Sequence, residues 1–323
     1  MSSTNFKFTA PGWQVAAALL TVYLVWGTTY LALAVGVETL PPLWLNGLRF
    51  TAAGALMLAF VVVRARAQRR SPWDGLTPRT LAHAALVGVL MVSLAMSLVT
   101  VAEQRGIGSG LAATVVTTVP MWVALWSHLL GEPASRMQWA GMALGMMGAL
   151  ALSFEGDFAA APGAALLMFA APLAWSIGSV ASRRLALPPP LMAAALEWTL
   201  GGALLLVLAW VFEPFAPTQV SARSAWALAY LLLFGTLLAF NAYLWLLQHT
   251  PAPVATSYAF ANPAVALAVG VLGYGERLTG AVWLALPLVF AALALILYGP
   301  QLQAGWQRFV KRQQWGEVER PCV

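Results

Sequence analysis

Residues 13–50 read WQVAAALLTVYLVWGTTYLALAVGVETLPPLWLNGLRF. From Trp13 to Val35 no side chain carries a charge. At 1.5 Å per residue such a run crosses a hydrocarbon core about 30 Å thick. Glu38 closes the run, Pro41-Pro42 breaks it, and a second apolar run begins at once with Arg49 inside it. Two long apolar helices joined by a short proline turn form an antiparallel pair. Neither has a polar face to turn to water, so the pair belongs in lipid.

The rest of the chain agrees. Of 323 residues, 61% are hydrophobic and 9% charged, where a soluble domain carries roughly 25% charged. Seventeen basic and eleven acidic side chains cannot cover a soluble fold of this size. Disorder, a collagen-like repeat and a disulfide scaffold fall at the same step, and the single cysteine, Cys322, can neither pair within the chain nor anchor a metal cluster. The pI near 9.9 points to membrane orientation rather than nucleic acid, because the basic residues lie in short loops between apolar runs.

Cutting the chain at its Gly, Pro and charged residues predicts an all-α membrane protein of ten spans. They cover 13–35, 43–64, 80–102, 108–130, 136–155, 162–182, 190–212, 224–247, 252–272 and 279–299. The first run is too long for a signal h-region, only Lys7 precedes it, and no A-x-A-like site closes it. With an internal N-terminus, the inner segments hold Lys7, Arg64, Arg66, Arg69, Arg70, Arg79, Arg136, Arg183, Arg184, Arg308, Lys311, Arg312 and Arg320. The outer loops hold Arg105, Arg223 and Arg277. Thirteen against three places both termini in the cytoplasm and argues against dual topology.

The chain also repeats itself. Trp26 matches Trp175, Pro41-Pro42-Leu43 lies over Pro188–Leu191, and Pro120 matches Pro263. Gly131-Glu132 matches Gly275-Glu276, and Trp139 matches Trp283, all at offsets of 143–149. Each half contains five predicted spans, and an odd number inverts the second half in the membrane. The expected organisation is a cytoplasmic N-terminus over 1–12, a first repeat over 13–155, a second over 162–299, and a cytoplasmic tail over 300–323. Inverted repeats support alternating access around a site at their interface.

The stretch Trp26-Gly27-Thr28-Thr29-Tyr30, the Pro-Pro before the second span and Arg49-Phe50 within it resemble the drug/metabolite transporter superfamily. The two Gly-Glu pairs, each ending a helix with a mid-span proline, resemble its EamA repeat in two copies over about 13–299. The resemblance implies ten helices in two inverted five-helix repeats, a bacterial inner-membrane location, and export of small metabolites. Unlike the small multidrug members, this chain has no acid in its first span before Glu38.

Two charges stand well inside apolar runs, Arg49 in the second span and Glu197 in the seventh. A charge in hydrocarbon costs at least ~2.5–3.5 kcal/mol, so each lines a cavity or finds a partner. They enter from opposite faces, which separates them in depth by roughly 10 Å. A zwitterionic solute bridging the two and a structural contact to nearby backbone both fit this placement. Glu197 is the candidate for proton coupling. Glu132 and Glu276, at helix ends, read as structural acceptors for exposed backbone N–H groups.

A polar stripe recurs on several spans: Ser93 and Ser97 in the third, Thr117 in the fourth, Asn241 in the eighth, Tyr258 and Asn262 in the ninth. With Trp26, Tyr30, Trp122 and Trp175 these residues are candidates to line a substrate cavity. Pro120 and Pro263, each mid-span, are expected to kink their helices and act as hinges. Gly141, Gly145 and Gly148 form a packing face for a repeat contact or a homodimer. No HExxH, clustered Cys/His, paired acids or Walker A sequence is present. The expectation is therefore a secondary transporter without catalytic residues, cofactor or metal. Its partners are lipid and a small solute, driven either by a coupling proton or by the solute's own gradient, with a passive channel and a membrane scaffold as the rival readings.

Overall fold

The computed structural model describes residues 11–131, 135–153, 161–214, 219–250 and 252–274 without a break. Beyond these it describes 280, 283–288, 290–292, 294–295, 298–299, 303 and 305, all of them helical. Glu132, Glu276, Lys7, Arg277 and the basic residues from Arg308 onward lie outside the described residues.

The elements are α1 Gly12–Gly36, α2 Pro42–Ala67, α3 Pro78–Gln104, α4 Ser109–Val116, α5 Val119–Leu129 and α6 Arg136–Ser153. They continue with α7 Pro162–Arg184, α8 Pro190–Phe212, α9 Ala222–His249, α10 Ala252–Ala255 and α11 Tyr258–Tyr274. No strand occurs among the described residues. Among the described residues six helices, α1, α2, α3, α7, α8 and α9, are long and apolar enough to cross a membrane. Their outward faces leave Val207, Trp210, Val211 and Phe212 exposed together on α8, a surface suited to lipid rather than water.

Local sequence sets the helix ends. Proline occupies the first turn of α2, α3, α7 and α8, where its missing N–H is not needed. Thr77 caps α3 by accepting from Thr80 N–H, and Ser221 caps α9 by accepting from Ser224 N–H. Gly106, at φ 97°, ends α3: its N–H reaches Glu103 O at 3.0 Å and Ile107 N–H reaches Ala102 O at 3.1 Å. That six-to-one closure needs a residue at ease with positive φ.

Three local features depart from the sequence expectation. First, α3 runs two residues beyond the expected end at 102, to Gln104. Second, α3 and α9 each contain a π-helical segment, Val89–Ala95 and Leu231–Leu238, at an offset of about 142. Third, the proline kinks are differently built. The fourth span breaks at Thr117-Thr118, and Pro120 falls in the first turn of the new helix α5, where it disrupts nothing. Pro263 does lie inside α11, but the interruption comes earlier, at Thr256-Ser257 between α10 and α11.

The tightest packing joins α2 to α8 in antiparallel register. A Cβ on Gly54 would strike the backbone of Thr199, and a Cβ on Gly202 would strike the backbone of Thr51. Gly47 meets Leu206 in the same register. Glycine at these points lets two backbones approach closely, which is how helices associate where hydrophobic exclusion gives no drive. Gly54 and Gly202 stand 148 positions apart, as do Thr51 and Thr199, so the contact is reciprocal. At one end of the pair, Glu213 holds the start of α2, accepting from Leu43 N–H at 2.9 Å and Trp44 N–H at 3.3 Å.

Candidate functional site

Residues of α1 and α2 meet α3, α4, α5, α7, α9 and α11 around a central cavity of about 60 Å³. α1 contributes Trp26, Thr29, Tyr30 and Leu33; α2 contributes Arg49 and Phe50. α3 supplies Ala95, Met96 and Val99, and α7 supplies Ala171, Pro172 and Trp175. Val116, Val119, Phe240, Tyr258 and Asn262 complete the wall.

Trp26 is the centre of the aromatic wall. Its ring meets Tyr258 edge-on at 4.6 Å, Phe240 at 5.8 Å and Trp175 at 5.9 Å. Its Nε1 donates to Gly235 O at 2.9 Å, a carbonyl within the π segment of α9. A π turn displaces the regular ladder and frees such acceptors, which is one reason these turns gather at functional sites. Tyr243 packs on Tyr258 at 5.4 Å from behind.

Arg49 reaches the same π segment. Its Nε donates to Thr236 Oγ1 at 2.7 Å, and Thr236 Oγ1 donates onward to Leu231 O at 3.1 Å. The guanidinium carbon lies 4.6 Å from the Phe50 ring centroid. Arg49 is 3% exposed, and its Nη1 is buried with no hydrogen-bond partner among the described residues. A buried guanidinium with an unused donor is costly unless something else uses it.

Of the twelve sequence-selected cavity residues, the structure brings together Trp26, Tyr30, Arg49, Trp175, Tyr258 and Asn262. The other six lie elsewhere. Ser93 donates to Gly201 O at 2.8 Å and joins α3 to α8. Ser97 is buried with no hydroxyl partner among the described residues, and Thr117 is buried at the α4–α5 break. Trp122 stacks on Trp126 at 6.4 Å, outside the cavity wall. Asn241 donates to its own helix at Leu237 O and faces a lateral groove of about 650 Å³ beside Arg64 and Gln248. Glu197, 4% exposed, faces a separate pocket of about 340 Å³ with Arg183, Pro188 and Gln248.

Arg49 and Glu197 therefore do not meet. The α2–α8 register, 54 against 199 and 47 against 206, sets Arg49 level with residue 204. Seven residues of helix, about 10 Å, separate the two in depth. They occupy equivalent places 148 positions apart and open to different cavities.

Sequence reading passed over Glu103. Both its carboxylate oxygens are buried and unpartnered among the described residues. Ending the third span at 102 put it in a loop; the signal available was that Glu103 continues the Met96–Val99 face at helical spacing. Phe240 was also missed, because an aromatic in an apolar helix carries no signal alone.

The EamA-like transporter family model matches residues 13–154 and 162–298. An uncharacterized inner membrane transporter of Escherichia coli K12, YedA, is 37% identical over 286 residues, 88% of this chain and 91% of that protein. A probable amino-acid metabolite efflux pump of Salmonella typhimurium is 26% identical over 298 residues, covering 87% and 93%. A crystal structure superposes with TM-score 0.68 at 22% identity, covering 88% of this chain and 97% of its own, and shows likeness of fold alone.

Proposed function

The chain belongs to the EamA-like transporter family, and from that premise we propose a secondary transporter of the bacterial inner membrane that exports a small organic solute by alternating access. An amino acid or related metabolite, or an amphiphilic drug, is the cargo class. The organisation is ten helices in two inverted five-helix repeats, with both termini cytoplasmic. The two separately matched segments support it, as does the reciprocal packing of Gly54 on Thr199 and Gly202 on Thr51.

The observation that carries the reading is the central cavity. Repeat-equivalent Trp26 and Trp175 meet in its wall, and Arg49 brings an unused donor to it. Aromatic faces accept an apolar body while the guanidinium takes a carboxylate or other anionic group. The paired π segments in α3 and α9 pack on α8 and α2, where shifts in helix register open the cavity to one side or the other. Glu197, in the second pocket, carries the coupling proton.

Solute counterflow in proteoliposomes tests the carrier. Hits from a thermal-shift screen of metabolites and drugs are preloaded, and uptake of labelled solute is followed. A carrier gives trans-stimulation; equal rates from loaded and empty vesicles would leave a passive pore.

A further inference from the structure

Glu103 is placed as no purely structural acid would be. It is the third residue from the closing Gly106, at the C-terminal end of α3, where the helix dipole presents partial negative charge. It is 7% exposed, and neither carboxylate oxygen has a hydrogen-bond partner among the described residues. Desolvation, an unfavourable dipole and missing partners all act against a bare carboxylate there.

Its surroundings repeat the pattern. Tyr30 lies within electrostatic reach of Glu103 and beside Asn262. Asn262 is 1% exposed, and neither its amide nitrogen nor its amide oxygen has a hydrogen-bond partner among the described residues. Tyr30 and Asn262 line the central cavity, and so do Met96 and Val99, which precede Glu103 by seven and four residues on one face of α3. Glu103 is the next residue on that face, one turn beyond Val99, and the lining of the cavity ends just before it.

Arg49 marks the other end. Asn46 donates to Thr100 Oγ1 at 2.8 Å and lies 3.4 Å from Met96 O, so Arg49, about one turn along α2, falls near Ala95. About eight residues of α3, roughly 12 Å, lie between that level and Glu103.

Resting on the transporter reading, we infer that Glu103, Asn262 and Tyr30 form a subsite for a primary ammonium group of the solute. An ammonium has three donors and no acceptor. Two carboxylate oxygens, an amide oxygen and a phenol oxygen supply the acceptors, and the positive charge is favoured by the helix end and by the Tyr30 ring. The apolar cavity between Glu103 and Arg49 takes the solute's carbon chain. Glu197, in its own pocket, has no part in this subsite.

The test is equilibrium binding to the full-length protein in detergent, read by tryptophan fluorescence and by thermal shift. Pentylammonium chloride is the probe, with 1-pentanol and sodium chloride as controls. Pentylammonium is expected to bind; 1-pentanol binds at least tenfold more weakly, and sodium chloride at the same concentration does not compete. Glu103→Gln weakens the probe at least tenfold, Glu103→Asp keeps part of the affinity, and Gly163→Ala, with open space at its Cβ position, binds as wild type. Equal affinity for pentanol, competition by sodium, no binding to the wild type, or wild-type affinity in Glu103→Gln would each overturn the subsite. If Glu103→Gln does not fold, unchanged affinity in both Glu103→Asp and Asn262→Ala overturns it equally. Loss of counterflow with this binding intact would sink transport and leave the subsite; intact counterflow with Glu103-independent binding does the reverse.

Discussion

Arg49 Nε donates to Thr236 Oγ1 at 2.7 Å, which fastens the only buried basic side chain among the described residues to the π segment of α9. The bond aims the guanidinium and leaves Nη1 free for a second partner. It also makes the cavity sensitive to the geometry of α9, because Thr236 itself is held by Leu231 O.

Thr236→Val keeps the shape and removes the acceptor. A hydrogen bond to a charged group contributes about 1.5–3 kcal/mol, so half-saturation in counterflow should rise about tenfold or more. Arg49→Lys should behave similarly, since an ammonium keeps the charge but not the fork. Unchanged half-saturation in both variants would show that the guanidinium does not meet the solute.

Gly54→Val and Gly202→Val should be destabilising to a similar degree. Each new side chain meets the backbone of the opposite helix at Thr199 or Thr51, and overpacking of this kind costs about 1–3 kcal/mol. Thermal unfolding in detergent reads the effect as a drop of several degrees. Gly163→Ala, with open space at its Cβ position, serves as the neutral control. A large effect in one glycine variant and none in the other would contradict the reciprocal contact.

Gly106→Ala places an L side chain at φ 97°, at a cost of about 1–2 kcal/mol. The closure of α3 should loosen, lowering the unfolding midpoint and shifting Glu103 from the cavity end. Full stability together with unaltered pentylammonium binding would mean that this turn does not position the acid.

Glu197→Gln tests proton coupling separately. In wild-type proteoliposomes an imposed proton gradient is expected to accelerate solute flux at fixed solute gradient. In the variant, flux with and without the proton gradient should coincide, while solute counterflow persists. An undiminished response to the gradient removes the coupling role from this residue.

Much of the helix layout was legible because it depends on local rules. Apolar length sets a span, and Pro at N1 or Gly at positive φ punctuates it, so α1, α2, α7 and α8 fall close to their expected bounds. The α3 boundary failed for a physical reason as well. A hydropathy reading ends a helix at its first charge, whereas the backbone ends it where Gly106 completes the turn. Two residues of error hid Glu103. The breaks near Pro120 and Pro263 were expected in the right spans but at the wrong residues, because proline permits a helix start as readily as it spoils a helix middle.

Which polar residues share a cavity was legible only in part, since six of the twelve selected residues line it and six do not. Asn241 and Asn262 look alike in sequence, each an amide in an apolar helix; one bonds its own backbone beside a lateral groove, the other faces the centre unpartnered. Arg49 and Glu197 read as a pair, and the α2–α8 register assigns them to separate pockets. Composition and run length determined from sequence alone that this chain is a helical membrane protein, since these properties need only short-range chemistry, and the offset matches raised the expectation of related halves. The tertiary structure alone decided where the π segments fall, which helix faces converge, and which buried groups are left without partners. Those depend on how one helix is rotated against another, and apolar side chains that bind lipid and protein equally well leave no record of that angle in their order.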